Sequence, residues 1–255
     1  MQHIFKIILA GSILLNVLAI WGFFHYVRFG GSPLGELKRR LTGETHQPVR
    51  GLPYADENAQ ILAELEEGRS KPNRVVFFGA SITARWDLER DFTGVTCINR
   101  GVGNQLAPAM LARFKRDVLD LKPDAVVIKF CSINVRPTLP NSVLRDAMTM
   151  MVGLARSAGI KPIVCTIIPA GKPEAHIGDF SVVNTLGEFN EWVRGFAAEN
   201  ELPLIDYAGA IADDSGFLPR EYSTDPVHVN ERGYEILAAA AKPVLGRIVA
   251  GDDGR

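Results

Sequence analysis

Four side chains in this sequence carry the chemistry of acyl transfer. Ser81 stands in Gly79-Ala-Ser-Ile-Thr83, directly after an apolar run. A serine at a strand-to-helix turn presents its hydroxyl at a sheet edge, beside helix-terminal N–H donors. Asp225 and His228 are three residues apart in Asp225-Pro-Val-His228, where Pro226 fixes φ and narrows the turn. An ionised Asp beside His holds the ring's tautomer and stabilises the imidazolium formed when a serine gives up its proton. Asn134, in Cys131-Ser-Ile-Asn-Val135, offers an amide donor to an oxyanion. Each has a plainer role open to it: a helix cap for Ser81, a surface loop before a helix capped by Asn230, a turn for Asn134. Taken together they supply nucleophile, base, orienter and oxyanion donor. Of the five histidines, only His176 and His228 lie outside the N-terminal segment, so the general base is one of these two.

These residues need a scaffold, and the apolar pattern predicts one. Short β-branched runs at 74–79, 95–99, 124–130, 161–168 and 202–205 read as strands buried on both faces of a parallel sheet. Between them run one-sided helices with apolar residues every three or four positions. The stripes are Leu111, Phe114, Val118, Leu121; Val143, Ala147, Met151, Leu154, Ala158; Val182, Leu186, Phe189, Val193, Phe196; and Leu237, Ala241, Val244, Ile248. Alternating strands and helices predict a three-layer α/β/α sandwich. Its site lies beyond the C-terminal ends of the strands, on loops beginning at Gly79, Asn99, Phe130 and Tyr207. Loop 170–179 (AGKPEAHIGD) is a further candidate for the pocket wall.

Composition narrows the chemistry further. With 28 Lys and Arg against 29 Asp and Glu, the chain lacks the basic surplus of a nucleic-acid binder. Three cysteines without a C-x-x-C pair predict buried thiols, not a disulfide framework. Histidines and cysteines do not cluster at metal-ligand spacing, so neither metal nor cofactor is expected. Gly101-Val-Gly-Asn-Gln-Leu106 begins like a dinucleotide fingerprint, but Leu106 occupies the place of its third glycine. No phosphate-binding loop of the G-x-x-x-x-G-K-[ST] type is present.

The N-terminal quarter reads differently. Residues 7–24 (IILAGSILLNVLAIWGFF) hold 18 residues without a charge, enough for roughly 27 Å of helix. Trp21, Phe23, Phe24 and Tyr26 gather at its end as interfacial aromatics do. This predicts a single-pass anchor over 1–28, a tether over 29–53 and one domain over 54–250. The basic flank of Arg28, Lys38, Arg39 and Arg40 argues for a cytoplasmic domain. An N-terminal anchor is also the usual export signal, and an extracytoplasmic domain is the expectation adopted.

Over roughly 74–245 the chain resembles the SGNH/GDSL hydrolases. The family's Gly-Asp-Ser block is matched by Gly79-Ala80-Ser81. Its second block is similar to Asn99-Arg-Gly-Val-Gly-Asn-Gln105, continued by Met110-Leu-Ala-Arg-Phe114. Its Gly-x-Asn-Asp block is matched by Ser132-Ile133-Asn134-Val135, and its Asp-x-x-His block by Asp225 to His228, continued by Val-Asn-Glu-Arg-Gly-Tyr234. The resemblance implies a flavodoxin-like five-stranded parallel sheet, no metal, and ester or thioester hydrolysis through an acyl-serine. It would make Ser81 the nucleophile, His228 the base and Asp225 its partner. The oxyanion hole would be Asn134 with the backbone N–H groups of Ser81 and Asn104. Ala80, Ser132 and Val135 depart from the family's residues, and Asn104 takes the slot of its oxyanion glycine.

A membrane-tethered serine esterase acting on a lipid, glycan or small-molecule ester is therefore the leading expectation. An O-acetyltransferase of envelope polysaccharide shares the chemistry as far as the acyl-serine. A binding protein on a decayed hydrolase fold is the third reading.

Overall fold

A computed structural model describes residues 53–69, 71–172 and 176–250. The expected anchor and most of the expected tether lie outside the described residues. Among the described residues no helix is long and apolar enough to cross a membrane.

Five parallel strands form the central sheet: β1 (Arg74–Gly79), β2 (Thr96–Gly101), β3 (Ala125–Lys129), β4 (Lys161–Cys165) and, later in the chain, β7 (Leu204–Ile205). Their order is β2-β1-β3-β4-β7. The chain passes from β1 outward to β2, then back across to β3, so the order reverses between β1 and β3, which pair Gly79 with Lys129. Doubly wound sheets bind ligands at such a reversal.

Alternation along β1 and β3 explains the two cores. Val76, Phe78, Val126, Ile128 and Phe130 point to one face. There they meet α4 (Ala107–Phe114), α5 (Asn141–Ser157) and α6 (Val182–Glu199). Val75, Phe77, Ala125 and Val127 point to the other. That face is covered by the short helices α2 (Ser81–Ala84), α3 (Leu88–Asp91) and α7 (Tyr207–Ile211), and by the last helix α8 (Glu231–Val249). The result is the expected three-layer sandwich. A first helix, α1 (Ala55–Glu66), sends Ile61 against the first core.

Several expected boundaries move, each for a local reason. The fourth strand ends at Cys165, not 168. Beyond it Asn190 replaces the ladder, accepting from Ile167 N–H and donating to Ile167 O, both at 2.8 Å. The fifth strand keeps only Leu204–Ile205; Pro203 just before it has no N–H to give. The second strand runs to Gly101, two residues past its expected end. The stripe expected on α5 is rotated. The buried face is Leu144, Ala147, Met148, Met151, Val152 and Ala155, while Leu154 is 41% exposed. This helix carries apolar residues nearly all round, so spacing alone admits two faces. The stripe from Leu111 to Leu121 does not lie on one α-helix, because α4 passes into a π-helical turn at Lys115–Leu119.

Two small hairpins complete the fold: β5 (His176–Ile177) with β6 (Phe180–Ser181), and β8 (Ser223–Asp225) with β9 (His228–Val229). Cys131 and Cys165 are buried free thiols, and the half-buried Cys97 thiol is pushed up to about 12 by desolvation.

Candidate active site

Ser81 opens α2 straight off the end of β1. Its side chain does not cap that helix. Instead Oγ lies 3.0 Å from Nε2 of His228. Two glycines permit the tight turn. A Cβ on Gly79 would meet Thr83 Oγ1 at 2.1 Å, and one on Gly101 would meet the backbone N of Ala84 at 2.1 Å. Two carbonyls within α2 are tied to other elements. Asn99 Nδ2 donates to Thr83 O at 2.8 Å, and the Tyr234 hydroxyl donates to Ile82 O at 2.8 Å.

Asp225 and His228 face each other across the β8–β9 turn. Asp225 Oδ1 accepts the backbone N–H groups of Val227 and His228, each at 2.9 Å. Nδ1 of His228 lies 2.8 Å from Oδ2 and 3.0 Å from Oδ1. Burial pushes the Asp225 carboxyl up, but the Val227 N–H, the His228 ring, the His228 N–H and the imidazole's charge outweigh it and hold the group below its ordinary value. A carboxylate on Nδ1 selects the tautomer with its proton there, which leaves the lone pair on Nε2, facing Ser81.

The segment after this pair holds it in place. Asn230 caps α8 by accepting from Gly233 N–H at 3.0 Å, and donates to Glu221 O at 2.8 Å. A Cβ on Gly233 would stand 2.5 Å from Tyr222 O, so only glycine lets α8 close against the hairpin. On the far side, Gly171 N–H donates to Pro226 O at 2.7 Å. One short run therefore fixes hairpin, helix and, through Tyr234, the helix that Ser81 opens.

A cavity of about 770 Å³ opens beside the pair, lined by Ser81, Asn104, Cys131, Arg136, Ile177 and His228 among others. Ala170, Ile177 and Val182 bring the loop after β4 into its wall. The loop beginning at Tyr207 is not part of it: Tyr207 is wholly buried against Trp86. A second cavity, of about 500 Å³ between α1 and β2, contains neither Ser81 nor His228. His176 is exposed on β5 and makes no contact with Ser81 or Asp225 among the described hydrogen bonds.

Asn104 has φ +61°, in the left-handed region that glycine favours and asparagine tolerates best among the rest. Asn134 is wholly buried and does not line the cavity. Its Oδ1 accepts Ala107 N–H at 2.7 Å and its Nδ2 donates to Cys131 O at 3.1 Å. It thus joins the loop after β3 to the start of α4, with one amide hydrogen beyond that bond.

A buried polar network beneath the site is the main feature the sequence reading missed. Arg113 donates to Gly79 O at 2.9 Å, to Gln105 Oε1 at 2.5 Å and to Asp117 at 2.9 Å, and lies 4.1 Å over the Phe78 ring. Asp117 also takes bonds from Arg116 and from Asn58, whose oxygen accepts from Arg100 at 2.9 Å. Arg113 and Asp117 sit one turn apart beside the stripe residues Phe114 and Val118. Two charges beside a buried stripe were the available signal.

Residues 77–236 match the GDSL-like lipase/acylhydrolase family, and the chain belongs to it, a family of ester-acting hydrolases. It is 26% identical over 177 residues to an uncharacterised lipoprotein of Bacillus subtilis, across 55% of this chain and 72% of that one. It is 28% identical over 152 residues to an acetylxylan esterase of Xylanibacter ruminicola, across 50% of this chain and only 30% of that enzyme. Among solved structures, a GDSL-like lipase of Bacteroides thetaiotaomicron aligns at TM-score 0.67 and 26% identity, covering 76% of this chain and 96% of that one. A lipase/acylhydrolase of Enterococcus faecalis shares the fold at TM-score 0.58 and 24% identity, over 69% of this chain and 96% of that one.

Proposed function

We propose that the protein is a serine esterase that cleaves an ester or O-acyl group through an acyl-Ser81 intermediate. The observation that carries this reading is the unbroken line from Ser81 Oγ to Nε2 of His228, and from Nδ1 to the Asp225 carboxylate. Nε2 takes the Ser81 proton as Oγ bonds to the ester carbonyl carbon. The carbonyl oxygen becomes an oxyanion taken by the backbone N–H groups of Ser81 and Asn104, and the second amide hydrogen of Asn134, buried behind the cavity wall, is proposed as the third donor. His228 returns the proton to the leaving alcohol as the C–O bond breaks. Water repeats the sequence, freeing the acid and restoring Ser81. Asp225 keeps the ring's tautomer and offsets its charge while it is protonated.

The proposal includes attachment to a membrane through 7–24, with the catalytic domain on the extracytoplasmic side. Its support is the uncharged run itself and the likeness to a protein named a lipoprotein. The O-acyl part of the reading draws on the relative named an acetylxylan esterase.

Fluorophosphonate labelling followed by peptide mapping tests the reading without knowledge of the substrate. Label on Ser81 in the wild type, lost in His228→Ala, is expected. An unlabelled Ser81 in folded protein that turns over no ester overturns it.

A further inference from the structure

We infer that the cavity beside Ser81 selects esters bearing an anionic group, a carboxylate or phosphate near the scissile bond, and that Arg85 and Arg136 recognise it. This rests on the reading of Ser81 as nucleophile. Among its described lining residues the cavity holds these two cations and no Asp or Glu.

Each arginine is placed by the elements that build the site. Arg85 follows α2, and its backbone N–H donates to Ser81 O at 3.1 Å, so its side chain rises from the same turn as the nucleophile. Arg136 follows the 3-10 turn Ser132–Asn134. Its Nε donates to Ile133 O at 2.7 Å, which fixes the guanidinium plane and leaves the two Nη groups unspent. Neither forms an ion pair with a carboxylate among the described residues. Arg113, Arg116 and Arg194 each do.

Two uncompensated positive charges in a concave site focus a positive potential there. A neutral ligand strips water from guanidiniums and returns nothing. An anion returns charge-assisted bonds, and a held guanidinium offers two parallel donors that match a carboxylate or phosphate edge. The wall also carries apolar side chains, among them Val135, Ile177 and Val182. Such a wall accommodates a short hydrocarbon attached to that anion.

The full-length protein is assayed with matched esters in two arms. One places the charge in the acyl part: mono-4-nitrophenyl glutarate against 4-nitrophenyl valerate. The other places it in the leaving alcohol: 4-acetoxybenzoate against phenyl acetate. Because intrinsic reactivities differ, the readout is the anionic-to-neutral ratio of kcat/KM in wild type, Arg85→Gln, Arg136→Gln and the double variant. In one arm this ratio should fall several-fold in each single variant and roughly tenfold or more in the double. The wild-type ratio should also shrink in 0.5 M salt. The responding arm locates the anion on the acyl or the alcohol side. Ratios unchanged by the substitutions in both arms, with hydrolysis through Ser81 intact, overturn the proposal. So does an equal loss on both esters, which would make the arginines general supports of the site. Absence of all turnover would sink the esterase reading instead. Anion selection is then read by calorimetry on Ser81→Ala with monomethyl glutarate and methyl valerate. Tighter, salt-sensitive binding of the glutarate supports selection, and equal affinity overturns it.

Discussion

Arg113 donates a hydrogen bond to the carbonyl oxygen of Gly79, two residues before Ser81, while holding Gln105, the neighbour of Asn104. One buried guanidinium thus joins the turn that presents Ser81 to the loop that carries Asn104. Burial lowers its pKa, and Asp117 opposes that shift. Arg113→Met should cost about 2–4 kcal/mol of stability, since it strips one partner from a buried carboxylate. The folded fraction should show a lower kcat with KM little changed. Denaturant unfolding beside steady-state kinetics measures both, and a fully active, equally stable variant would contradict the positioning role.

The proposed nucleophile and base act as a unit. Ser81→Ala and His228→Ala should each lower kcat by roughly 10⁴-fold or more, and together by little beyond either alone. Asp225→Asn should fold normally and lose less. Wild-type turnover of a model ester by Ser81→Ala would refute the mechanism.

Acid should weaken the fold through a buried carboxylate. Burial pushes Asp117 up, but hydrogen bonds from Arg116, Arg113 and Asn58, with the charge of Arg113, hold it below its ordinary value. The folded-state value is the lower one, so this contribution is complete above the unfolded value of about 3.9 and is lost as pH falls through the lowered one. Wild-type Tm should therefore drop below about pH 4, and Asp117→Asn, already less stable, should show a flatter profile there.

The two asparagines proposed for the oxyanion hole should respond differently. The proposed contribution of Asn104 is a backbone N–H from a left-handed residue, so Asn104→Gly should keep activity, whereas Asn104→Ala should cost about 1 kcal/mol of stability. Asn134→Ala removes both the amide donor and the acceptor for Ala107 N–H. It should lower acylation roughly 10²–10³-fold and destabilise the α4 loop by about 1–3 kcal/mol. Single-turnover acylation with parallel thermal unfolding separates the two effects. Silent Asn134→Ala beside crippling Asn104→Ala would reassign the donors.

Attachment is checked by fractionation. Full-length protein should sediment with membranes and resist alkaline carbonate, and a chain lacking 1–50 should be released. Reporter fusions at the C-terminus read the side, and a cytoplasmic signal would remove the extracytoplasmic assignment.

The sheet was legible because β1 and β3 are continuous apolar runs that nothing but a doubly covered strand accommodates. The contact between Asp225 and His228 was legible because their spacing of three and the turn at Pro226 mark it locally. Boundaries that depend on distant partners were not. The end of β4 depends on Asn190, a residue from a helix later in the chain. The buried face of α5 depends on which of two apolar sides meets the sheet. Arg113 and Asp117 look like any helical ion pair until tertiary packing buries them. Asn134 reads as a donor to the site, and only its full burial reveals that it also holds a loop to a helix.

The acid–base hairpin is continuous with the helix that covers Val75, Phe77 and Val127. A ribosome that has made β7 has already made Ser81, its turn and most of the residues around the cavity, but not His228. On the proposed mechanism ester cleavage needs this hairpin, and α8 leaves the ribosome straight after it. The nascent chain would then carry Ser81 unactivated through most of translation, and the stretch that completes the sheet's cover would also complete the proposed acid–base pair.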